Sequence, residues 1–519
     1  MIEFEQLLVV LGAAVLLAAL ARKIGAPYPA FLALVGAVLA FLPGTPHFSI
    51  EPDVALALFV APVLLDAAYD SSPRDLKDQW VPVVSLAVVS VVLTTLAVAL
   101  VARWLVPEMP WAAAVALGAI VSPPDAAAAI PVLRQLRPPH RVMTILQGES
   151  LLNDASALLI YRLAVGAVAM SSFSVRSVGP TILLVIGGSL LAGPLLGWLV
   201  LLLMTRVRDV PTAIILQFVT TFGVWILADR LGLSAILTMV TCAITVAQRG
   251  PKRTPARIRL PSFVVWETAV FLLNVLAFVF IGLQIRPILS NLEPASRARY
   301  LSVSGSVLLT VIVVRILWVM SHNTVARWRI RAVGFHPRLP MGPPTVGSGL
   351  AVSWAGMRGI VTLAAALALP EGDGTAAFPF RDLIVVTAFS VVFGTLVLQG
   401  LTLKPLLRLL KLQDDDPVGR EVALARERAL AAALATVDGD RSPEAEAVRQ
   451  ELTAHLTYAN ADLADDRAPS HKQVHRRALA AARSVTIAMR DQDDIGDDAF
   501  QRLLDEIDRL EISGIREET

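Results

Sequence analysis

Charge is what this sequence has least of. Only 17% of its 519 residues are Asp, Glu, Lys or Arg, where an ordinary soluble domain carries roughly 25%. Fully 55% are hydrophobic. A soluble globule could not cover so much apolar surface with so few charges. Cysteine is nearly absent: Cys242 stands alone, which excludes a disulfide-stapled scaffold. The same hydrophobicity excludes a disordered chain. No phosphate loop or nucleotide fingerprint is present, so no cofactor is implied. A polytopic membrane protein remains.

The apolar residues come in continuous runs. A bilayer core of about 30 Å takes about 20 helical residues. About thirteen such runs lie near 5–21, 28–43, 53–70, 80–104, 111–134, 142–169, 180–204, 211–229, 232–248, 262–286, 299–321, 347–370 and 381–411. A spanning β-barrel would alternate polar and apolar residues, and a stretch such as 182–186 does not. The first run follows Glu3 and Glu5 without a basic leader, so it reads as a membrane helix and not as a cleavable signal.

The small net charge of +2 hides an asymmetry. Residues 414–519 hold 24 acidic and 14 basic side chains, whereas residues 1–413 hold 19 and 31. The break at Asp414-Asp415-Asp416-Pro417 divides a membrane domain, 1–413, from an acidic helical domain, 414–519. With the N-terminus outside, the inner loops carry 18 Lys and Arg, and the outer ends carry 7. That bias orients the chain, and an odd number of spans then places the tail in the cytoplasm. The tail is expected to be helical over Arg420–Leu434 and Phe500–Leu510, the second run starting after Ile495-Gly496-Asp497-Asp498. It lacks the ligand spacing of a calcium loop.

Charge inside a span is costly and marks a functional site by default. Asp66, Asp125, Glu149, Asp154, Glu267, Arg315 and Arg358 all stand well inside apolar runs. In Gly148-Glu149-Ser150-Leu151-Leu152-Asn153-Asp154, helical spacing puts Ser150 and Asp154 on one face. Glu149 lies about 140° away from Asp154, so it is expected to point elsewhere, toward the solitary Arg315, as a structural ion pair. In Val121-Ser122-Pro123-Pro124-Asp125, two prolines remove backbone donors in mid-span and predict a broken helix. Its freed carbonyls, with Asp125 beside them, suit a small hard cation. A second break is expected at Gly356-Met357-Arg358-Gly359, with Arg358 offsetting the negative end of a half-helix. Paired broken helices in two halves of a chain point to a transport site built from inverted repeats. Asp66 is a third carboxylate for the same cavity. The seven histidines are expected in loops or in the tail, away from these motifs.

A carboxylate in such a site binds H⁺ or a cation, not both, and that competition with alternating access is sufficient for antiport. An intramembrane aspartyl hydrolase, with Asp125 and Asp154 as its dyad, is the rival from another class. A receptor signalling through the tail is a third.

At these residues the sequence resembles the monovalent cation/proton antiporters of the NhaP type and the animal sodium/proton exchangers. The carriers are Gly148-Glu149-Ser150-x-x-Asn153-Asp154, Ser122-Pro123-Pro124-Asp125, Asn274-x-x-x-Phe278-x-x-x-Gly282-Leu283, Arg315 and Gly356-Met357-Arg358-Gly359, in family order. The resemblance covers about residues 1–411. It implies an all-α protein of thirteen transmembrane helices, an inverted repeat, crossed broken helices and a homodimer. It implies an ion or proton on Asp154, with Ser150, Asp125 and Asp66 near it, and a structural pair of Glu149 with Arg315. Asn153 in place of a second aspartate resembles the electroneutral branch, one cation (Na⁺ first, K⁺ or Li⁺ otherwise) for one proton. Pro124, where many relatives have threonine, and Asp66, where glutamate is frequent, depart from the pattern.

Overall fold

A computed structural model describes residues 2–412 except 25, 43–50, 137, 170–174, 291, 293, 335–341 and 372–376. Beyond these it describes 416–453 and 479–492 apart from isolated positions. The chain divides into two compact units, Met1–Asp415 and Asp416–Thr519.

In the first unit the described secondary structure is helical throughout. The helices are α1 (Ile2–Ile24), α2 (Tyr28–Leu39), α3 (Pro52–Asp70), α4 (Pro73–Asp78), α5 (Trp80–Val84) and α6 (Val91–Leu105). There follow α7 (Trp111–Val121), α8 (Ala126–Leu136), α9 (His140–Ala169), α10 (Val175–Met204), α11 (Val210–Arg230) and α12 (Ala235–Arg253). The unit ends with α13 (Ala256–Leu283), α14 (Ile285–Ser290), α15 (Pro294–Val333), α16 (Val346–Trp354), α17 (Ile360–Leu367) and α18 (Arg381–Leu410). Prolines begin many of them: Pro52, Pro73 and Pro294 each occupy a first helical position, where a missing N–H costs nothing.

Nine described stretches are long and apolar enough to cross a bilayer. Of the four other runs, three fall short for local reasons. α2 has 12 residues. α12 ends in the charged stretch Gln248–Arg253. α16 and α17 are half-helices of 9 and 8 residues. The run over 80–104 is helical but not uniform. A π-helical segment at Ser85–Ser90 joins α5 to α6, and no residue type in it announces the change.

Helices pack most closely where glycine removes the side chain. A Cβ on Gly36 would stand 2.6 Å from the Val279 carbonyl oxygen, and one on Gly282 would stand 2.6 Å from the Ala37 nitrogen. α2 and α13 therefore touch backbone to backbone. Gly193 and Gly197 make the same approach to α12, a small-xxx-small seam. Such contacts matter because lipid offers no hydrophobic drive between helices, so close van der Waals packing must supply the attraction. The outer surface is correspondingly apolar. Leu183, Leu191 and Leu195 on α10, and Leu309 and Leu317 on α15, are exposed, as acyl chains would require. Gly282→Val is expected to lower the melting temperature in detergent by several degrees, since backbone cannot move aside as a side chain could. An unchanged thermal scan would contradict the packing.

In the second unit, α19 (Pro417–Val437) covers the helix expected from Arg420 to Leu434. Asp416 caps it, its Oδ1 accepting from the Gly419 N–H at 3.0 Å. The helix expected over Phe500–Leu510, and its start at Ile495, lie outside the described residues.

Candidate functional site at two crossed helix breaks

α7 stops at Val121 because Pro123 and Pro124 have no N–H to continue its ladder. The chain runs non-helically through Ser122–Asp125 and resumes as α8 at Ala126. α16 stops at Trp354, and α17 begins at Ile360. The two interruptions meet. The Asp125 N–H donates to the Met357 carbonyl at 2.6 Å. The contact is tight enough to require Gly359: a Cβ there would stand 2.9 Å from the Asp125 Cβ and closer still to its carboxylate.

Arg358 is 1% exposed and binds carbonyls at the helix ends. Its Nε donates to the Val121 oxygen at 3.1 Å and its Nη2 to the Ser122 oxygen at 3.3 Å. Its Nη1 donates to the Gly356 oxygen. These carbonyls lie where α7 and α16 end, and the negative ends of both half-helices face the guanidinium. The Arg358 backbone N–H donates to Thr395 Oγ1 on α18 at 3.1 Å.

α9 lays one face against the first break. Asn153 Nδ2 donates to the Pro124 carbonyl at 2.6 Å, and Ser150 Oγ accepts from the Ala126 N–H at 3.5 Å. Asp154 follows on the same face, 9% exposed. Among the described residues its carboxylate has no hydrogen-bond or ion-pair partner. The Asp125 carboxylate lies within Coulombic range of it, and Asp125 Oδ1 accepts from the Ala127 N–H at 2.8 Å. Asn153 Oδ1 is buried without a protein donor. The site therefore holds two carboxylates, an amide oxygen and a serine hydroxyl beside interrupted backbone. Asp66 is half-buried on α3, which packs against α9, α12 and α17.

Glu149 points the other way. Arg315 on α15 donates from Nη1 and Nη2 to the two Glu149 oxygens at 2.6 and 3.0 Å. Its Nε and Nη2 also reach the Ser353 and Val352 carbonyls at 3.1 and 3.0 Å. Both charged groups are 1% exposed. Arg315 thus ties α9 to the last turn of α16, immediately before the second break.

Other charged residues of the apolar runs lie elsewhere. Glu267 is exposed on α13. Asp229 pairs with Arg162 at 2.9 Å on the surface. Two histidines are not in loops, contrary to expectation. His140 opens α9, and His322 lies within α15 because that helix continues past its apolar run through a segment rich in Ala, Val and Arg. Neither touches the crossing: His140 Nε2 meets Asp75 Oδ2 at 2.9 Å, and His322 Nδ1 meets Ser85 Oγ at 3.2 Å. Thr395 carries no signal in the sequence, because isolated threonines in membrane helices usually only bond back to their own ladder.

Residues 10–409 match the family described as sodium/hydrogen exchanger, transmembrane. An uncharacterised Na⁺/H⁺ exchanger of Mycobacterium tuberculosis strain H37Rv is 33% identical over 423 residues, covering 78% of this chain and 74% of that protein. A sodium, potassium, lithium and rubidium/H⁺ antiporter of Bacillus subtilis strain 168 is 27% identical over 505 residues, 94% of this chain and 74% of that one. The structure of the sodium proton antiporter MjNhaP1 from Methanocaldococcus jannaschii superposes with a TM-score of 0.58 at 18% identity, covering 79% of this chain and 99% of that one, so the fold is shared. A match across most of the membrane unit, together with such a relative, decides the family: this chain belongs to the sodium/hydrogen exchangers, which are transporters and not enzymes.

Proposed function

We propose that the chain exchanges a monovalent cation, Na⁺ first, for a proton, one for one, by alternating access with competition at Asp154. The observation that carries this reading is a charge imbalance. Both buried arginines near the crossing are committed, Arg315 to Glu149 and two carbonyls, Arg358 to carbonyls of both breaks. Asp125 and Asp154 have no such partner among the described residues. An uncompensated carboxylate at membrane depth costs several kcal/mol or more, so something from solution must neutralise it. A proton does so covalently; a small cation does so by taking oxygen ligands. Asp154, Asp125, Ser150 and the unpartnered Asn153 oxygen supply those ligands, with the Asp66 carboxylate on the adjoining α3. The two occupants exclude each other on one carboxylate. Carriage of either across the membrane, with the empty charged state held back, gives coupled exchange.

The same reading takes the membrane domain, 1–413, as thirteen spans with an inverted repeat, working as a homodimer. Its N-terminus is outside, and the acidic domain, 414–519, is in the cytoplasm. The basic bias of the loops supports the orientation. A K⁺/H⁺ exchanger using the same residues is the second reading, favoured by the Bacillus subtilis relative, whose name covers sodium, potassium, lithium and rubidium.

The test is proton flux in proteoliposomes with an imposed pH gradient, adding Na⁺, Li⁺, K⁺ or choline in turn, with and without a potassium/valinomycin clamp. Collapse of the gradient by Na⁺, indifferent to voltage, is expected. Collapse by K⁺ alone moves the assignment to the second reading. Voltage dependence refutes one-for-one exchange, and silence toward every cation refutes antiport.

A further inference from the structure

A cavity lies outside the crossing, at the end of the membrane unit where α9 begins. Its volume is about 50 Å³, room for a compact group of several heavy atoms, since a single water needs about 10–15 Å³. Its polar lining is Arg141, His322, Asn323 and Ser348, and Leu86 and Val352 are among its apolar walls. Arg141 is half-buried. Among the described residues its guanidinium makes no hydrogen bond and no ion pair. The neighbouring carboxylate on α4, Asp75, is held by His140 and not by Arg141. Arg141 and His322 lie within Coulombic range of each other. His322 uses Nδ1 toward Ser85, and its Nε2 has no bond among the described residues.

Two neighbouring cationic or donor groups, with no anion between them among the described residues, suit an anionic ligand. The walls define it further. Most of the lining is apolar, and free phosphate gains nothing from such walls, whereas a lipid brings both a phosphate and an apolar body. Basic pockets between transmembrane helices are where anionic headgroups bind, and Arg is the side chain suited to phosphate. α15 continues past His322 with Arg327, Arg329 and Arg331, which raises the local concentration of anionic lipid.

We propose that this cavity binds the phosphate of an anionic phospholipid, with Arg141 as the principal ligand and His322 beside it. The site bears on the transport machinery through one helix. Gly349 and Val352 of α16 line the cavity, and the Val352 carbonyl is one of those that Arg315 holds. An occupied cavity ties together α9, α15 and α16 at the end opposite the break in α16.

The experiment is thermal unfolding of the full chain in detergent, titrated with short-chain phosphatidylglycerol, phosphatidylcholine of the same chain length, or inorganic phosphate. Phosphatidylglycerol is expected to raise the melting temperature of wild type and of Arg141→Lys. Arg141→Gln should bind it about tenfold or more weakly, the loss expected for a charge-assisted hydrogen bond. Ala326→Phe, which fills the cavity from the half-exposed side of α15, should lose the response with every charge intact. An equal response to phosphatidylcholine, or an unchanged response in both Arg141→Gln and Ala326→Phe, overturns the site. Saturation by inorganic phosphate alone, with no gain from the lipid, assigns the cavity to a soluble anion and overturns the lipid. None of these outcomes depends on the transport reading, because no flux is measured.

Discussion

Asp154→Asn is expected to abolish cation-driven proton flux while leaving a folded, correctly inserted protein. On the proposed reading, the side chain keeps its shape and loses the ability to exchange H⁺ for a metal cation. No hydrogen bond is broken, because Asp154 makes none to the described protein, and the substitution removes a buried negative charge that had no fixed partner. Stability should therefore be unchanged or higher, and the melting curve serves as the control for the flux assay. Competition adds a sign to the wild-type behaviour. If protons occupy the group that the cation needs, as proposed, lowering the pH below the working range should raise the half-saturating cation concentration, by up to about tenfold per pH unit for a one-proton competition. The maximal rate under saturating cation should change less. Retained flux in Asp154→Asn would move the ion to Asp125 or Asp66. A half-saturating concentration independent of pH would refute a shared carboxylate.

The sequence was legible where it broke membrane rules and opaque where it obeyed them. Asp125, Glu149, Asp154, Arg315 and Arg358 stand out because charge in a span is costly, and Pro123-Pro124 because a helix cannot pass them. Helical spacing separates Glu149 from Asp154, and the structure sends the first to Arg315 and leaves the second at the crossing. What joins the two breaks was not legible. The Asp125–Met357 backbone contact, the hold of Arg358 on the Val121 and Ser122 carbonyls, and Thr395 all involve backbone or an ordinary helix residue. Some of the thirteen runs hold helices too short for a window of about 20 residues, for a related reason. Hydropathy finds long apolar helices, whereas the half-helices α16 and α17 are short because they are broken, and α2 is short and backed closely by α13. The elements nearest the crossing are thus the ones that a window of about 20 residues detects least well.

Breaking the Glu149–Arg315 pair is expected to give the largest loss of stability, and the loss should be asymmetric. Removing one partner of a buried ion pair costs about 3–5 kcal/mol, because the other charge remains in a dry site. In Glu149→Ala, Arg315 still reaches the Ser353 and Val352 carbonyls, so part of its hydrogen bonding survives. In Arg315→Ala, Glu149 keeps its charge with no donor, and both carbonyls at the end of α16 lose theirs as well. The void is also larger, since the guanidinium packs against Gly356, where a Cβ would stand 2.8 Å from its Cζ. Arg315→Ala should therefore melt at a lower temperature than Glu149→Ala, both below wild type. The double variant Glu149→Gln/Arg315→Met, which removes both charges and keeps most of the volume, should recover much of the loss. The cycle built from Glu149→Gln, Arg315→Met and their double measures the coupling. The pair is placed to transmit as well as to stabilise. One end is on α9, four residues before Asn153, and the other holds the final turn of α16 just ahead of Arg358. A small shift of α9 relative to α16 would thus act on the crossing through Arg315. If the double variant recovers stability but transports poorly at saturating cation, the ion pair sets the geometry of exchange. If it recovers both, the pair is only a brace. Melting curves of the single variants identical to wild type would mean that the two charges are not coupled at all.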